Sequence, residues 1–221
     1  MLAQSFQFLK DWAANLRYSN STPRIVKNSD LYVVEYPKSG ITWLSSILAS
    51  SCLLEAGTAI RATYFNLEQI VCDVHINRDI PNNVNYPYYR IIKSHASFNP
   101  FYRHVVYLLR NPFSVMNSYH HYLVSHRRVN ENLQAFVRSS RYGIDSWRKH
   151  VSSWVYPRRE MKFHLIKYED LKDDAFTAMR TLFENLGLVI SDESVRTAIN
   201  MCGFEPMRKS HDLFMTTWSS R

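Results

Sequence analysis

Leu31-Tyr32-Val33-Val34-Glu35-Tyr36-Pro37-Lys38-Ser39-Gly40-Ile41-Thr42-Trp43 is the stretch on which the reading of this chain turns. Leu31 to Tyr36 is a short β-rich run closed by Pro37, which fits a buried strand. Lys38-Ser39-Gly40 follows as a turn. Thr42 then reads as the cap of a helix whose apolar positions Leu44, Ile47, Leu48 and Leu54 recur at helical spacing. Strand, tight loop and helix form the front half of a βαβ unit. Such a loop can point successive backbone N–H groups at an anion, and the helix N-terminus adds a favourable dipole. Gly40 would let the backbone approach closely, Lys38 supplies a mobile charge and Thr42 a hydroxyl. The plainer alternative is a turn with a solvated lysine. A Walker loop is excluded, because its lysine follows the last glycine whereas Lys38 precedes the only one here.

Outward from this unit, Arg90 to Lys93 and His104 to Leu109 read as a second and a third strand, and Phe163 to Lys167 as a fourth. Asn111-Pro112 opens a helix with Pro in its first turn. Glu131 to Ser140 and Ile144 to Trp154 read as helices. Another runs from about Asp173 to Leu186 and stops at Gly187, and a last one, capped by Ser191, runs to Met201. Arg78 to Tyr89, with its prolines and asparagines, reads as a loop. Strands alternating with helices predict an α/β fold, a parallel sheet flanked by helices on both faces in a P-loop-like nucleotide-binding arrangement.

The chain has 221 residues, 46% of them apolar, enough for one substantial core, and no run long enough to span a membrane. A net charge of +8 suits nucleic acid, an anionic membrane face or a phosphorylated small molecule alike. The basic residues are scattered apart from pairs such as Arg127-Arg128 and Arg158-Arg159, which speaks against a dedicated nucleic-acid binder. Cys52, Cys72 and Cys202 have neither zinc-site spacing nor the even count of a disulfide framework, so they read as plain thiols in a reducing compartment. The N-terminus does not read as a secretory signal. The expectation is a cytoplasmic protein with no membrane anchor and no nucleic-acid partner.

Two further segments carry chemistry. Arg90-Ile91-Ile92-Lys93-Ser94-His95 places two basic side chains at a strand end, with a histidine suited to accept a proton near neutral pH or to serve as a plain surface or capping residue. In Tyr107-Leu108-Leu109-Arg110-Asn111-Pro112, with Ser118 on the next helix, Arg110 can hold a phosphate through two hydrogen bonds; the alternative is a salt bridge from Arg110 and a cap from Asn111. His120, His121 and His126 lack the carboxylate or cysteine that would complete a metal site.

The loop resembles the YPKSGTTW loop of the cytosolic-type sulfotransferases that use 3'-phosphoadenosine 5'-phosphosulfate (PAPS). Ile41 stands where that family usually has threonine, which removes one hydroxyl donor and keeps the N–H. Lys93-Ser94-His95 resembles the family's K-T-H, and Arg110-Asn111-Pro112 with Ser118 its arginine and serine. Tyr168-Glu169-Asp170-Leu171 resembles Y-E-D-[LM], and Phe204 and Met207 resemble S-F-x-x-M. The resemblance spans Tyr36 to Met207. It implies that Lys38 contacts the 5'-phosphate and the bridging oxygen, with Ser39, Gly40, Ile41 and Thr42 around the phosphosulfate. Trp43, Tyr168 and Phe204 would lie near the adenine, Arg110 and Ser118 on the 3'-phosphate, His95 would be the catalytic base and Lys93 would steady the sulfuryl oxygens. No metal is implied.

The family's R-K-G-x-x-G-D-W loop, which adds basic contacts to the 3'-phosphate, has no full counterpart. Residues 1–221 therefore read as a single sulfotransferase domain with a shortened C-terminal region. Three explanations stand: a compact variant that uses Arg208, Lys209 or Arg221 instead, a truncated chain, or a degenerate site. The acceptor is expected to be a hydroxyl or amine of a small molecule or sugar, held by Tyr64, Phe65, Tyr86, Tyr88, Tyr89, Phe98, Phe101 and Tyr102, with Glu68 and Asp73 as spare carboxylates. PAP, adenosine 3',5'-bisphosphate, would be the nucleotide product. A magnesium-dependent phosphotransferase and a protein that binds an anion without transfer are the alternatives.

Overall fold

The structure is a computed structural model that describes residues 19–58, 60, 62, 66–79, 88–156 and 161–203. Among these residues the sheet has five strands, β1 (Asp30–Glu35), β2 (Cys72–Asp73), β3 (Arg90–Ser94), β4 (His104–Leu109) and β5 (Lys162–Lys167), in the order β2-β3-β1-β4-β5. Every pairing is parallel. All six residues of β1 are buried, because a central parallel strand is covered on both faces and needs no alternation.

Eight helices cover this sheet among the described residues: α1 (Ile41–Glu55), α2 (Leu67–Ile70), α3 (Pro112–Ser125), α4 (Leu133–Arg138), α5 (Ile144–Val155), α6 (Tyr168–Asp173), α7 (Ala175–Leu186) and α8 (Asp192–Cys202). Successive β1 side chains go to opposite faces. Leu31 and Val33 join Ile91, Val106 and Leu108 against α1, α7 and α8. Tyr32 and Val34 join Val105 and Tyr107 against Trp154 of α5. A third cluster packs Tyr36 on Val115, Met116, Leu123 and Phe136. Helices therefore lie on both faces, as expected. No helix among the described residues is long and apolar enough to cross a membrane.

Several local readings change. Thr42 does not cap α1: Gly40 is the cap, at φ 113, without a side-chain hydrogen bond, and Thr42 lies inside the first turn. The helix expected from about Asp173 to Leu186 is α7, which starts at Ala175 because the Asp174 carboxylate accepts the Thr177 N–H at 3.0 Å and caps it; the short α6 before it is a separate helix. Gly187, at φ 69, ends α7 as expected. The two-residue β2 and the four-residue α2 are too short to leave a periodic signal. Arg90 lies at the start of β3, not at its functional end, and pairs with Asp30 across the sheet: Nε reaches Oδ1 at 2.6 Å and Nη2 reaches Oδ2 at 2.8 Å, both side chains almost wholly buried. Tyr32 Oη donates to the same carboxylate.

The order β3-β1-β4 fixes the position of the site. The chain leaves β1, returns to β3 on one side of it, and then crosses to β4 on the other. The carboxyl ends of these strands border the crevice where the winding reverses, the usual ligand position in such sheets.

Candidate active site

Three loops meet at that crevice. After β1, the turn from Tyr36 to Gly40 is held from inside. Ser39 donates its hydroxyl to the Tyr36 carbonyl at 2.8 Å, and the Glu35 carboxylate accepts the Lys38 N–H at 3.1 Å and the Ile41 N–H at 2.7 Å. The Ile41 N–H is thus bound to Glu35 instead of facing an anion. The Gly40 and Thr42 N–H groups have no acceptor among the described residues. Lys38 adopts φ 74, a conformation that side-chain-bearing residues rarely take and one that concentrates at functional sites. Its ammonium lies 4.4 Å from the Tyr122 ring centre, and burial lowers its pKa against the pull of Glu35.

Gly40 has two reasons to be glycine. Its φ of 113 is unfavourable for any other residue, and a Cβ there would meet the Tyr168 ring at 2.7 and 2.8 Å. Tyr168, at the first position of α6, meets Trp43 edge-on at 5.8 Å between ring centres. The Arg110 guanidinium lies 4.2 Å over the Tyr168 ring and donates to the Lys38 carbonyl at 2.9 Å. The loop, the end of β4 and the start of α6 are thereby joined. Glu169 adds a tie by accepting the Asn111 N–H at 3.0 Å, while Asn111 itself caps α3. Arg110 Nε and Trp43 Nε1 are buried donors with no acceptor among the described residues. Two unfilled buried donors beside a loop with open N–H groups fit an anionic nucleotide. Ser118 lies half-buried on α3.

At the end of β3, Lys93 is buried beside Val33 and Asp73. His95 follows Ser94, and its backbone N–H donates to His75 Nε2 at 3.0 Å. An N–H can only donate, so His75 Nε2 is an acceptor and its proton sits on Nδ1. The His95 and His75 rings stack at 6.0 Å. Burial depresses the His95 pKa to about 4, with Asp73 pulling it up and His75 and Lys93 pushing it further down. The ring is therefore neutral at physiological pH.

Several expected residues do other work. Tyr102 is core: it stacks on Tyr32 at 3.7 Å and donates to Ser94 Oγ and the Ser21 carbonyl. Tyr88 and Tyr89 precede β3 and lie at the opposite end of the sheet, where Tyr89 Oη donates to the Leu186 carbonyl. Phe98 meets Trp154 edge-on. His120 and His126 bond the carbonyls of Glu131 and Tyr122. Among the described residues no three His, Cys, Asp or Glu side chains gather as a metal-binding group. Tyr64, Phe65, Tyr86, Phe204, Met207, Arg208, Lys209 and Arg221 lie outside the described residues. Sequence reasoning missed Glu35, His75 and Tyr122; only Glu35 left a signal, an acid inside an apolar strand.

A parallel sheet with a phosphate loop, unfilled buried donors and a neutral histidine at its switch point defines a nucleotide-binding group-transfer enzyme. Comparison with known proteins gives the class a family. The sulfotransferase domain model matches residues 28–221. Sulfotransferase 1E1 of Bos taurus is 28% identical over 206 residues, covering 85% of this chain and 69% of that protein. The fold superposes on retinol dehydratase in complex with androsterone and PAP, with a TM-score of 0.67 at 19% identity, covering 90% of this chain and 71% of the other. It also superposes on mouse sulfotransferase SULT7A1 complexed with PAP, with a TM-score of 0.63 at 22% identity, covering 87% and 70%. The chain belongs to the sulfotransferase family. It is a PAPS-dependent enzyme that transfers a sulfuryl group to a hydroxyl or amine.

Proposed function

We propose that His95 is the general base of this transfer and that Lys38 and Lys93 carry its electrostatics. The observation behind this reading is the meeting of Lys38, Lys93, His95 and Arg110 at the ends of three adjacent strands, with buried donors left unfilled. PAPS, when bound, supplies the sulfuryl group and a phosphate leaving group. The Gly40 and Thr42 N–H groups and the Lys38 ammonium hold its 5' end, while Ser39 and Ile41 shape the loop through Tyr36 and Glu35. Trp43 and Tyr168 flank the adenine, and Arg110 and Ser118 hold the 3'-phosphate. Phe204, Met207 and Arg208 are assigned to the nucleotide by family resemblance alone. His95 takes the acceptor's proton, Lys38 offsets charge on the leaving oxygen and Lys93 steadies the sulfuryl oxygens.

The acceptor is a small molecule or sugar bearing a hydroxyl or amine, and the enzyme works in the cytoplasm. One pair of assays tests the assignment. His95→Ala is expected to lower kcat about 100-fold or more while calorimetric affinity for PAP stays within about threefold. In the unmodified chain PAP should bind better than 5'-AMP, and Arg110→Ala should erase that preference. Parallel losses of kcat and PAP affinity in the His95 variant would remove it as base, and equal affinity for the two nucleotides would remove Arg110 from the 3'-phosphate.

A further inference from the structure

Glu35 is the acid that closes β1, and only 2% of its side chain is exposed. A buried carboxyl is costly unless its oxygens are used. Here Oε2 accepts the Ile41 N–H at 2.7 Å, while Oε1 accepts the Lys38 N–H at 3.1 Å and lies 3.7 Å from Nδ1 of His95. That nitrogen is buried and makes no well-formed hydrogen bond among the described residues, and the Glu35 main-chain carbonyl faces the ring as a second acceptor beside the carboxylate. The ring keeps about a third of its surface open, and Nε2 is not among the enclosed atoms. A neutral imidazole carries one proton, and only the other nitrogen can act as base.

We propose that Glu35 is a positioning residue that sets the tautomer of His95: as a carboxylate it holds the ring proton on Nδ1 and leaves the Nε2 lone pair for the acceptor. As a carboxylic acid it turns its own proton toward Nδ1, and the ring proton then sits on Nε2, where no base remains. This rests on His95 being the base. During transfer the acceptor's proton moves to Nε2, Nδ1 keeps its own, and Glu35 stays ionised and offsets the imidazolium charge. One carboxylate thus joins the phosphate loop to the base, because the oxygen nearest His95 is the one that holds Lys38 in place.

The surrounding charges set the pH at which this happens. Glu35 is faced by Lys38 from the loop, Arg110 and Tyr107 from β4 and its end, and His95. His95 is faced by Asp73, His75 and Lys93. Burial pushes the Glu35 carboxyl up to about 8, against the two N–H bonds and the charges of Lys38 and Arg110. The His95 ring is neutral on both sides of that pH, so only the place of its proton changes.

Imidazole nitrogen NMR on the full chain, without nucleotide, reads the tautomer directly. In the unmodified protein the His95 proton is expected on Nε2 below a pH of about 8 and on Nδ1 above it. In Glu35→Gln the amide oxygen should keep the shorter bond to Ile41, so the amide N–H faces Nδ1 and fixes the proton on Nε2 at every pH. The same variant should lose about 100-fold or more in kcat. An unchanged tautomer in the variant overturns the proposal. Should the variant fail to fold, the unmodified protein decides alone, since a tautomer that does not move as pH crosses that value overturns it equally. A tautomer that switches while kcat is unaffected leaves the hold of Glu35 on the ring established and removes His95 as base instead.

Discussion

Gly40 and Lys38 both carry a positive φ, for different reasons. At Gly40 the backbone turns into α1 while the Tyr168 ring lies against the Cα, so there is no room for a methyl. Gly40→Ala is expected to cost about 1–3 kcal/mol of stability from the backbone strain. Displacement of Tyr168 should also weaken PAP binding about tenfold or more, as seen by calorimetry. Shrinking the ring separates the two effects: in a Tyr168→Ala background the contact is gone, and only the φ penalty should remain. If Gly40→Ala costs the same in both backgrounds, the ring contact contributes nothing. The loop was legible in the sequence because its groups are neighbours in the chain. The role of His75 was not, since it arises from β2 meeting β3, and Glu35 stood out only as an acid at the end of a β-rich run, with nothing local to say that it faces His95.

Strand direction decides which charged residues can act. Arg90 and Lys93 belong to one five-residue strand, and three residues of β-structure separate them by roughly 10 Å. Lys93 reaches the crevice, whereas Arg90 is at the far end with Asp30. The sequence showed the strand as an apolar run and its flanking bases as a pair; the neighbouring acid sixty positions away could not be read from it. Likewise the apolar periodicity of α7 was visible, but its start at Ala175 was not, because Asp174 reads as one more polar residue until its cap is seen. The ion pair has a direct consequence. Asp30→Ala leaves a buried guanidinium without its acid and should cost about 3–5 kcal/mol in urea unfolding. Replacing both residues, Asp30→Leu with Arg90→Met, should restore most of that stability, and PAP affinity should stay within about twofold in the double variant. A single-variant loss below about 1 kcal/mol would show that the pair is relaxed or solvated.

Summed over the molecule, the buried titratable groups oppose each other in pH. His150, 5% exposed and bonded through Nδ1 to Tyr107 Oη at 2.9 Å, is depressed to about 4 by burial. His104, 7% exposed, with its Nε2 3.0 Å from that of His164, is depressed to about 4 for the same reason. In both cases the unfolded chain binds more protons between about 4 and the ordinary histidine value of about 6.5. Their stability is complete above the upper value and is lost as pH falls toward the lower, on the order of 3 kcal/mol for each. Glu35 has the opposite sign. Its folded pKa is raised to about 8, so its contribution is complete below the ordinary carboxylate range and is lost as pH rises through that value. Unfolding by urea across this span should therefore give a stability that climbs from acid toward neutrality and declines again on the alkaline side. In Glu35→Gln the climb from the carboxylate range toward about 6.5 should steepen and the decline from there to about 8 should flatten, whatever the absolute offset from the lost Lys38 hydrogen bond. Parallel curves for the two proteins would mean that Glu35 is ionised throughout, and the pH-dependent hold on His95 would fall with it. A carboxyl that weakens the fold at the pH where it orients the base is a stability–activity trade of the kind expected at a reaction centre.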